Sequence, residues 1–193
     1  MGRDPDRDAL RRVLLARRDN TSAEMLDLTS ERVRRRLRRW PPLHEAGSMG
    51  VYHSIGSEIR TGGIMQDILD SGKTLLLPAV LDGSNGSGDA YGSMEFRVVR
   101  DERDLAPGPY GIREPRSRCA PAVPDVVLVP AVAVTPNGHR LGYGRGYYDA
   151  YLRTRPIPSV AAAMEKQVVK KIPSNPHDVP VDWVVTEGRL FRA

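Results

Sequence analysis

Cysteine is nearly absent: Cys119 is the only one in 193 residues. No internal disulfide can form, a cytoplasmic location is the expectation, and the thiol reads as a packed side chain rather than a nucleophile. Long apolar runs are missing too. None approaches the roughly 20 residues that a bilayer-spanning helix needs, so no membrane partner is expected. The opening MGRDPDRD carries charges with no hydrophobic segment behind them and does not read as a secretory signal. Aromatic residues make up only 6% of the chain, and none is spaced through the basic N-terminal run as a base-stacking platform would require.

A positive surplus of +5 is present, but it is local. Residues 1–40 hold 12 Arg against 7 Asp and Glu, and the remainder balances at 17 of each sign. Arginine-dense helices are usually solvated faces, so the surplus reads as a polar helix surface with some long-range pull on anions. Nucleic-acid binding is not expected. The length suits one α/β domain over residues 1–193, burying roughly 70% of the unfolded chain's surface. A monomer or weak homodimer is the expected state.

Leu10, Val13 and Leu14 recur at helical spacing and predict a helix over 7–18. Thr21 and Glu24 fit a capping box that opens a second helix running to about Arg39. Met25, Leu28, Val33, Leu37 and Trp40 would be its buried stripe, with Pro41 and Pro42 as its stop. Short apolar runs then alternate with helical stretches. Strands are predicted at 50–55, at 73–77 ending at Pro78, at 94–99, at 125–129, and near 158–163 and 181–186. Helices are predicted over 61–71, closed by Gly72, and from about Arg145, while the glycine- and serine-rich stretch 82–92 reads as a flexible loop. The run DVVLV at 125–129 has the composition of a central strand buried on both faces. The alternation predicts a three-layer α/β domain with a largely parallel central sheet and an N-terminal helical hairpin.

The most informative segment is PAVAVTPNGHRLGYGRGYYDAYL, residues 130–152, which begins where the central strand should end. Open α/β sheets place their ligands there. Gly142, Gly144 and Gly146 alternate, leaving backbone N–H groups open to converge on an anion at a helix start. Arg140 and Arg145 add charge that chelates phosphoryl oxygens, and Asp149 follows at a spacing that suits Mg2+. Three glycines alone make a tight turn as readily as a site. The pattern is neither the Rossmann G-x-G-x-x-G nor a P-loop. Two arginines, three glycines and an acid within ten residues mark an anion or nucleotide site, and no more than that.

RLGYGRGYYDAYL closely resembles the signature of the 5-formyltetrahydrofolate cyclo-ligase family, R-L-G-x-G-x-G-Y-Y-D-x-x-L. Other blocks fall in the family's order: RDALR at 7–11, VYHSIGSEIRT at 51–61, MEFR at 94–97, GIREP at 111–115 and NPHDVPVDWVVTE at 175–187. The resemblance covers nearly the whole chain and implies MgATP-dependent closure of 5-formyltetrahydrofolate to 5,10-methenyltetrahydrofolate through a phosphorylated formyl intermediate.

By resemblance, Arg7 and Arg11 contact ATP, and Arg140, Leu141, Gly142, Tyr143, Gly144, Arg145, Gly146, Tyr147 and Tyr148 surround its phosphates. Arg145 is the expected catalytic cation, with Tyr148 beside it in the catalytic set. Asp149 and Asp178 match the Mg2+ positions. His53, Glu58 and Tyr147 are the folate contacts, Glu58 because a carboxylate pairs with the donor edge of a pterin. Without the family, Glu58 reads equally well as a surface acid ahead of the 61–71 helix, and Glu114 of GIREP reads as structural. Two departures stand out: Arg7 replaces a family lysine, and Arg60 reverses the charge of the acid usual after the folate glutamate. The rival readings are a catalytically inactive folate- or nucleotide-binding relative, and a different α/β enzyme reusing a phosphate loop. Retention of Arg145, Asp149 and Glu58 counts against the first.

Overall fold

The computed structural model describes residues 4–81 and 93–193; the predicted loop at 82–92 lies outside the described residues. The chain opens with α1 (Pro5–Asp19) and α2 (Ala23–Leu37), passes the short α3 (Pro41–Glu45) and enters β1 (Ser48–Gly50). Next come α4 (Gly62–Asp70), β2 (Thr74–Leu81) and β3 (Ser93–Val99), then a small hairpin of β4 (Leu105–Pro107) and β5 (Arg113–Pro115). Beyond β6 (Val126–Pro130), a second hairpin of β7 (Ala133–Val134) and β8 (Arg140–Leu141) leads to α5 (Tyr147–Thr154). β9 (Ser159–Ala162), β10 (Trp183–Val185) and β11 (Leu190–Arg192) complete the order.

Seven strands join in the order β11-β10-β9-β6-β1-β2-β3. The five inner strands are parallel, and β3 and β11 close the two edges antiparallel. The predicted run at 125–129 is β6, fourth of the seven, with Val126 to Val129 all buried. From β1 the chain crosses by α4 to β2 on one side; from β6 it crosses by α5 to β9 on the other. The strand order therefore reverses between β1 and β6. In an open α/β sheet, the crevice beyond the C-terminal ends of such a strand pair is where a ligand fits.

α2 and α4 pack one face of the sheet through Leu26, Val33, Leu37, Ile64 and Ile68, while α5 packs the other through Tyr151 and Leu152 beside Phe96. The three layers agree with expectation. The two N-terminal helices also form in succession, but they serve different clusters: Leu14 of α1 joins Val132, Ala133 and Leu141 around the β7–β8 hairpin. Among the described residues, no helix is long and apolar enough to cross a membrane. Cys119 is buried, its thiol 3.6 Å from the Asp104 carbonyl oxygen.

Several local expectations fail for identifiable reasons. Ser22, not Thr21, caps α2 by accepting from the Met25 N–H, while the Thr21 hydroxyl turns back to the Arg18 carbonyl. The helix therefore starts one residue later and buries Leu26, Thr29, Ser30, Val33 and Leu37, leaving Met25 and Leu28 54% and 47% exposed. In α1, Val13 is exposed and Arg7, Leu14 and Arg18 are buried. The ladder of β1 stops at Gly50, so 51–55 is not strand. Pro78 does not end β2; it pairs opposite Phe96 of β3. β1 accompanies β2 only to Leu76, so beyond that point the other side is an edge, where a missing N–H breaks no ladder bond.

Candidate functional site

Leaving β1 at its C-terminal end, the chain folds into a turn fixed by its own side chains. Ser54 and Thr61 exchange hydrogen bonds, each hydroxyl accepting from the other's N–H at 3.2 and 3.1 Å. The Tyr52 hydroxyl donates to the Ile59 carbonyl at 3.3 Å, and Ser30 of α2 accepts from the Arg60 N–H at 2.9 Å. The turn presents Glu58 inward: it is buried and accepts from the Ile55 N–H at 2.9 Å, which removes the reading as a surface acid. Burial raises its carboxyl above the ordinary value of 4.5; the Ile55 N–H, the Tyr143 hydroxyl and the charge of Arg18 act against that rise.

Leaving β6, the neighbouring strand, the chain makes the β7–β8 hairpin and then the glycine loop. Gly144 and Gly146 have φ of +96° and +74°, which only glycine adopts without strain, and Gly146 sits at the N-terminus of α5. The loop rests on α1. Arg11 donates from Nε to the Gly142 carbonyl at 2.8 Å, and a Cβ on Gly144 would stand 3.3 Å from its guanidinium. Arg145 is exposed. Tyr143 turns toward the Glu58 turn, where its hydroxyl accepts from Arg18 Nη2 at 2.7 Å. Burial, followed by the charge of Glu58, pushes that hydroxyl up to about 12. The two predicted halves, glycine loop and Glu58, thus meet at Tyr143.

Behind the loop lies a row of alternating charges. Arg140, fully buried, donates from Nη2 to Asp149 Oδ1 at 3.0 Å, and the same oxygen accepts from the Val179 N–H at 3.0 Å. Its guanidinium carbon lies 5.9 Å from the centre of the Tyr148 ring. Burial pulls the Arg140 guanidinium below its ordinary value, opposed by the charges of Asp149, Tyr148 and Asp178. Asp178 is held at both oxygens by Arg7, at 2.6 and 3.1 Å, and accepts from the Asn175 N–H at 3.1 Å. Asp149 and Asp178 therefore share one electrostatic neighbourhood. Among the described residues, no group of three His, Cys, Asp or Glu forms a cation cage. Two carboxylates still fit Mg2+, which commonly takes one or two from a protein and the rest of its shell from water and phosphate oxygens. The arginines must then release some of the oxygens they hold.

Four polar atoms here are buried without a hydrogen-bond partner among the described residues: Arg140 Nε, the Tyr148 hydroxyl, His53 Nδ1 and Arg18 Nη1. Buried groups of this kind are uncommon in a finished interior; Arg140 lies against Tyr148, and Tyr148 and Arg18 both neighbour Glu58, which suits a site whose ligand supplies the missing partners. Burial raises the Tyr148 hydroxyl well above its usual value, with the charge of Glu58 adding to the effect. Tyr147 packs on the α5 side of the sheet. Glu114, read as structural, accepts from the Val80 N–H at 3.0 Å and ties the β4–β5 hairpin to β2. A groove of about 640 Å3 beside the starts of β9 and β10, lined by Pro41, Leu152, Val179 and Trp183 among others, contains none of the predicted site residues.

Arg18 and Ser57 escaped the sequence reading. The signal was present in the spacing 7-11-14-18, which puts Arg7, Arg11, Leu14 and Arg18 on one helical face. Treating arginine as a solvated residue hid that face. In the fold each guanidinium finds acceptors there: Asp178 and the Pro173 carbonyl, the Gly142 carbonyl and Asp8, and Ser57 with Tyr143.

The sequence model of the 5-formyltetrahydrofolate cyclo-ligase family matches residues 3–187. A probable 5-formyltetrahydrofolate cyclo-ligase of Caenorhabditis elegans is 31% identical over 163 residues, with 76% of each chain covered. The 5-formyltetrahydrofolate cyclo-ligase of Escherichia coli K12 is 27% identical over 189 residues, 93% of this chain and 99% of that one. In three dimensions the chain is similar to the 5,10-methenyltetrahydrofolate synthetase of Aquifex aeolicus. The TM-score is 0.82 at 29% identity, over 96% of this chain and 92% of that one.

Proposed function

The chain belongs to the 5-formyltetrahydrofolate cyclo-ligase family, and from that premise we propose that it converts 5-formyltetrahydrofolate and ATP to 5,10-methenyltetrahydrofolate, ADP and phosphate in the presence of Mg2+. The observation that carries the reading is the meeting at Tyr143 of a buried carboxylate and a glycine loop, on the two strands where the sheet order reverses.

In this reading Glu58 accepts from the amino group and ring N–H of the pterin. His53 and Tyr147 complete the folate contacts. The formyl oxygen is then presented toward the glycine loop and attacks the γ-phosphorus, releasing ADP. N10 adds to the activated carbon and loses its proton, and the former formyl oxygen departs with phosphate. Phosphoryl transfer of this kind is governed by alignment and by charge placed on the transferred oxygens. The loop N–H groups and the start of α5 supply dipoles for that charge. Arg145 supplies the catalytic cation, and Arg11 braces the loop through the Gly142 carbonyl. Arg140 and Tyr148, each with a buried N–H or O–H lacking a partner among the described residues, would donate in this reading to oxygens of the bound ligands. Asp149 and Asp178 would hold Mg2+, which neutralises phosphate charge when bound.

The test is a mixing assay with purified protein, 5-formyltetrahydrofolate and MgATP, following the near-UV absorbance of the methenyl product. A rise that requires both ATP and Mg2+ is the expected result. A flat trace with folate or ATP still bound would overturn the reading in favour of an inactive relative.

A further inference from the structure

One buried cation beside Glu58 has no part in the scheme above. Arg18, in the last turn of α1, is 3% exposed. Its guanidinium is anchored at two points: Nε donates to Ser57 Oγ at 2.8 Å and Nη2 to the Tyr143 hydroxyl at 2.7 Å. Ser57 is itself fixed, since its hydroxyl donates to Asp19. The third prong, Nη1, is buried and has no hydrogen-bond partner among the described residues. A charged N–H taken out of water without an acceptor is costly, and two anchors hold it there.

The neighbouring acid does not satisfy it. Among the described residues, no ion pair joins Arg18 to Glu58, although the charge of Arg18 reaches Glu58; the Tyr143 hydroxyl accepts from Arg18 at 2.7 Å and itself lies in the field of Glu58. Tyr143 occupies a variable position of the glycine signature, so this spacer belongs to the particular chain. Cation and carboxylate are kept side by side without neutralising one another. The result is an acceptor edge followed by a donor.

The pyrimidinone edge of a pterin presents the complementary order: the 2-amino group and N3–H, both donors, then the C4 carbonyl oxygen, an acceptor. Once a carboxylate takes the two donors, the carbonyl oxygen faces whatever lies beside that carboxylate. We propose that Arg18 is a specificity-determining residue of the folate site, with Nη1 donating to the pterin C4 carbonyl oxygen while Glu58 takes the amino and N3–H groups. The inference rests on the folate reading of Glu58.

The experiment compares dissociation constants, by calorimetry, for 5-formyltetrahydrofolate and its 4-amino-4-deoxy analogue, in which an amino group replaces the C4 oxygen and N3 loses its hydrogen, so that only the part of the preference lost with Arg18 reports on the C4 oxygen. A site built to donate to that oxygen should prefer the oxo ligand by about 10- to 100-fold. Arg18→Met should shrink the preference by about tenfold, chiefly by weakening the oxo ligand, and leave what Glu58 gains from the N3–H. An Arg18→Met protein that binds both ligands more weakly by the same factor, with the preference intact, would overturn the proposal and leave Arg18 as a support for Tyr143. Should Arg18→Met fail to fold, Arg18→Lys carries the same comparison. A compact ammonium lacks the planar fork that reaches Ser57, Tyr143 and the carbonyl from three separate nitrogens, so the preference should narrow, and an unchanged preference overturns the idea. Glu58→Gln separates the two layers of the argument: it should weaken both ligands. Indifference of both to Glu58→Gln removes the folate reading, and this proposal with it.

Discussion

Arg7 and Asp178, 171 positions apart, meet in a two-pronged ion pair, with Nη1 2.6 Å from Oδ2 and Nη2 3.1 Å from Oδ1. The pair closes the N-terminal helix onto the segment that precedes β10, and the same guanidinium also donates to the Pro173 carbonyl at 2.6 Å. Both side chains are largely shielded, 11% and 14% exposed, so removing either partner strands a charge. Arg7→Ala is expected to destabilise the fold by about 3 kcal/mol, the lower end for a broken buried pair. The Arg7→Ala/Asp178→Ala double variant should cost less than the two single changes added together. Urea midpoints of the four proteins test this; strict additivity would show that the pair carries no coupling.

Arg145 differs from Arg140 in exposure: Arg140 is buried against Asp149, whereas Arg145 stands at the surface of the glycine loop. A long exposed guanidinium can follow a phosphoryl group as it transfers. Arg145→Ala is therefore expected to lower kcat by about 10³-fold or more, with the folate dissociation constant changed far less. Steady-state turnover alongside equilibrium folate binding checks it, and unchanged turnover would assign the transition-state charge to another residue.

What was legible in the sequence followed from residue pattern. The apolar run of β6 announced a buried central strand, which is in place, and the glycine–arginine–aspartate string follows it between β8 and α5. Several failures share a cause, in that a side chain's partner lay outside the local pattern that was read. Arg18 looks solvated until Ser57 and Tyr143 supply acceptors across 39 and 125 positions. Pro78 looks like a strand stop until its neighbours show that one side is an edge. Glu58 reads as surface or interior equally well until the Ser54–Thr61 clamp turns it inward. The edge strand β11, three residues long, has no periodicity to read.

Asp149 holds two donors on a single oxygen, Arg140 Nη2 and the Val179 N–H. Substitution by Asn keeps an acceptor at that position but removes the charge a divalent ion requires. Changing partners outside a metal's own shell typically costs 10–100-fold in affinity, so losing a direct carboxylate should raise half-saturating Mg2+ by at least about tenfold. Turnover measured across a Mg2+ series at saturating ATP reads this directly. An identical Mg2+ curve would take Asp149 out of the metal site and leave it as the counter-charge of Arg140.

Glu58 links function to pH. In the unfolded chain its carboxyl titrates near 4.5, and burial raises it in the folded protein. Between those two values the folded state keeps the proton and the unfolded state has lost it, so this group's contribution to stability falls as pH rises through the window. Above the window Glu58 is a buried carboxylate waiting for donors, held against its desolvation mainly by the Ile55 N–H. Glu58→Gln retains an acceptor for that N–H and removes the charge. The variant should melt higher than the parent at pH 7 to 8, and its advantage should shrink as pH falls toward and below 4.5. The same change should weaken 5-formyltetrahydrofolate by about 10- to 100-fold, because two charge-assisted bonds to the pterin edge become neutral ones. Thermal melts across pH, set beside folate titrations, test both halves together. A melting gap that stays constant with pH would mean that Glu58 is no more protonated in the fold than out of it. Unaltered folate affinity would move the pterin away from this carboxylate.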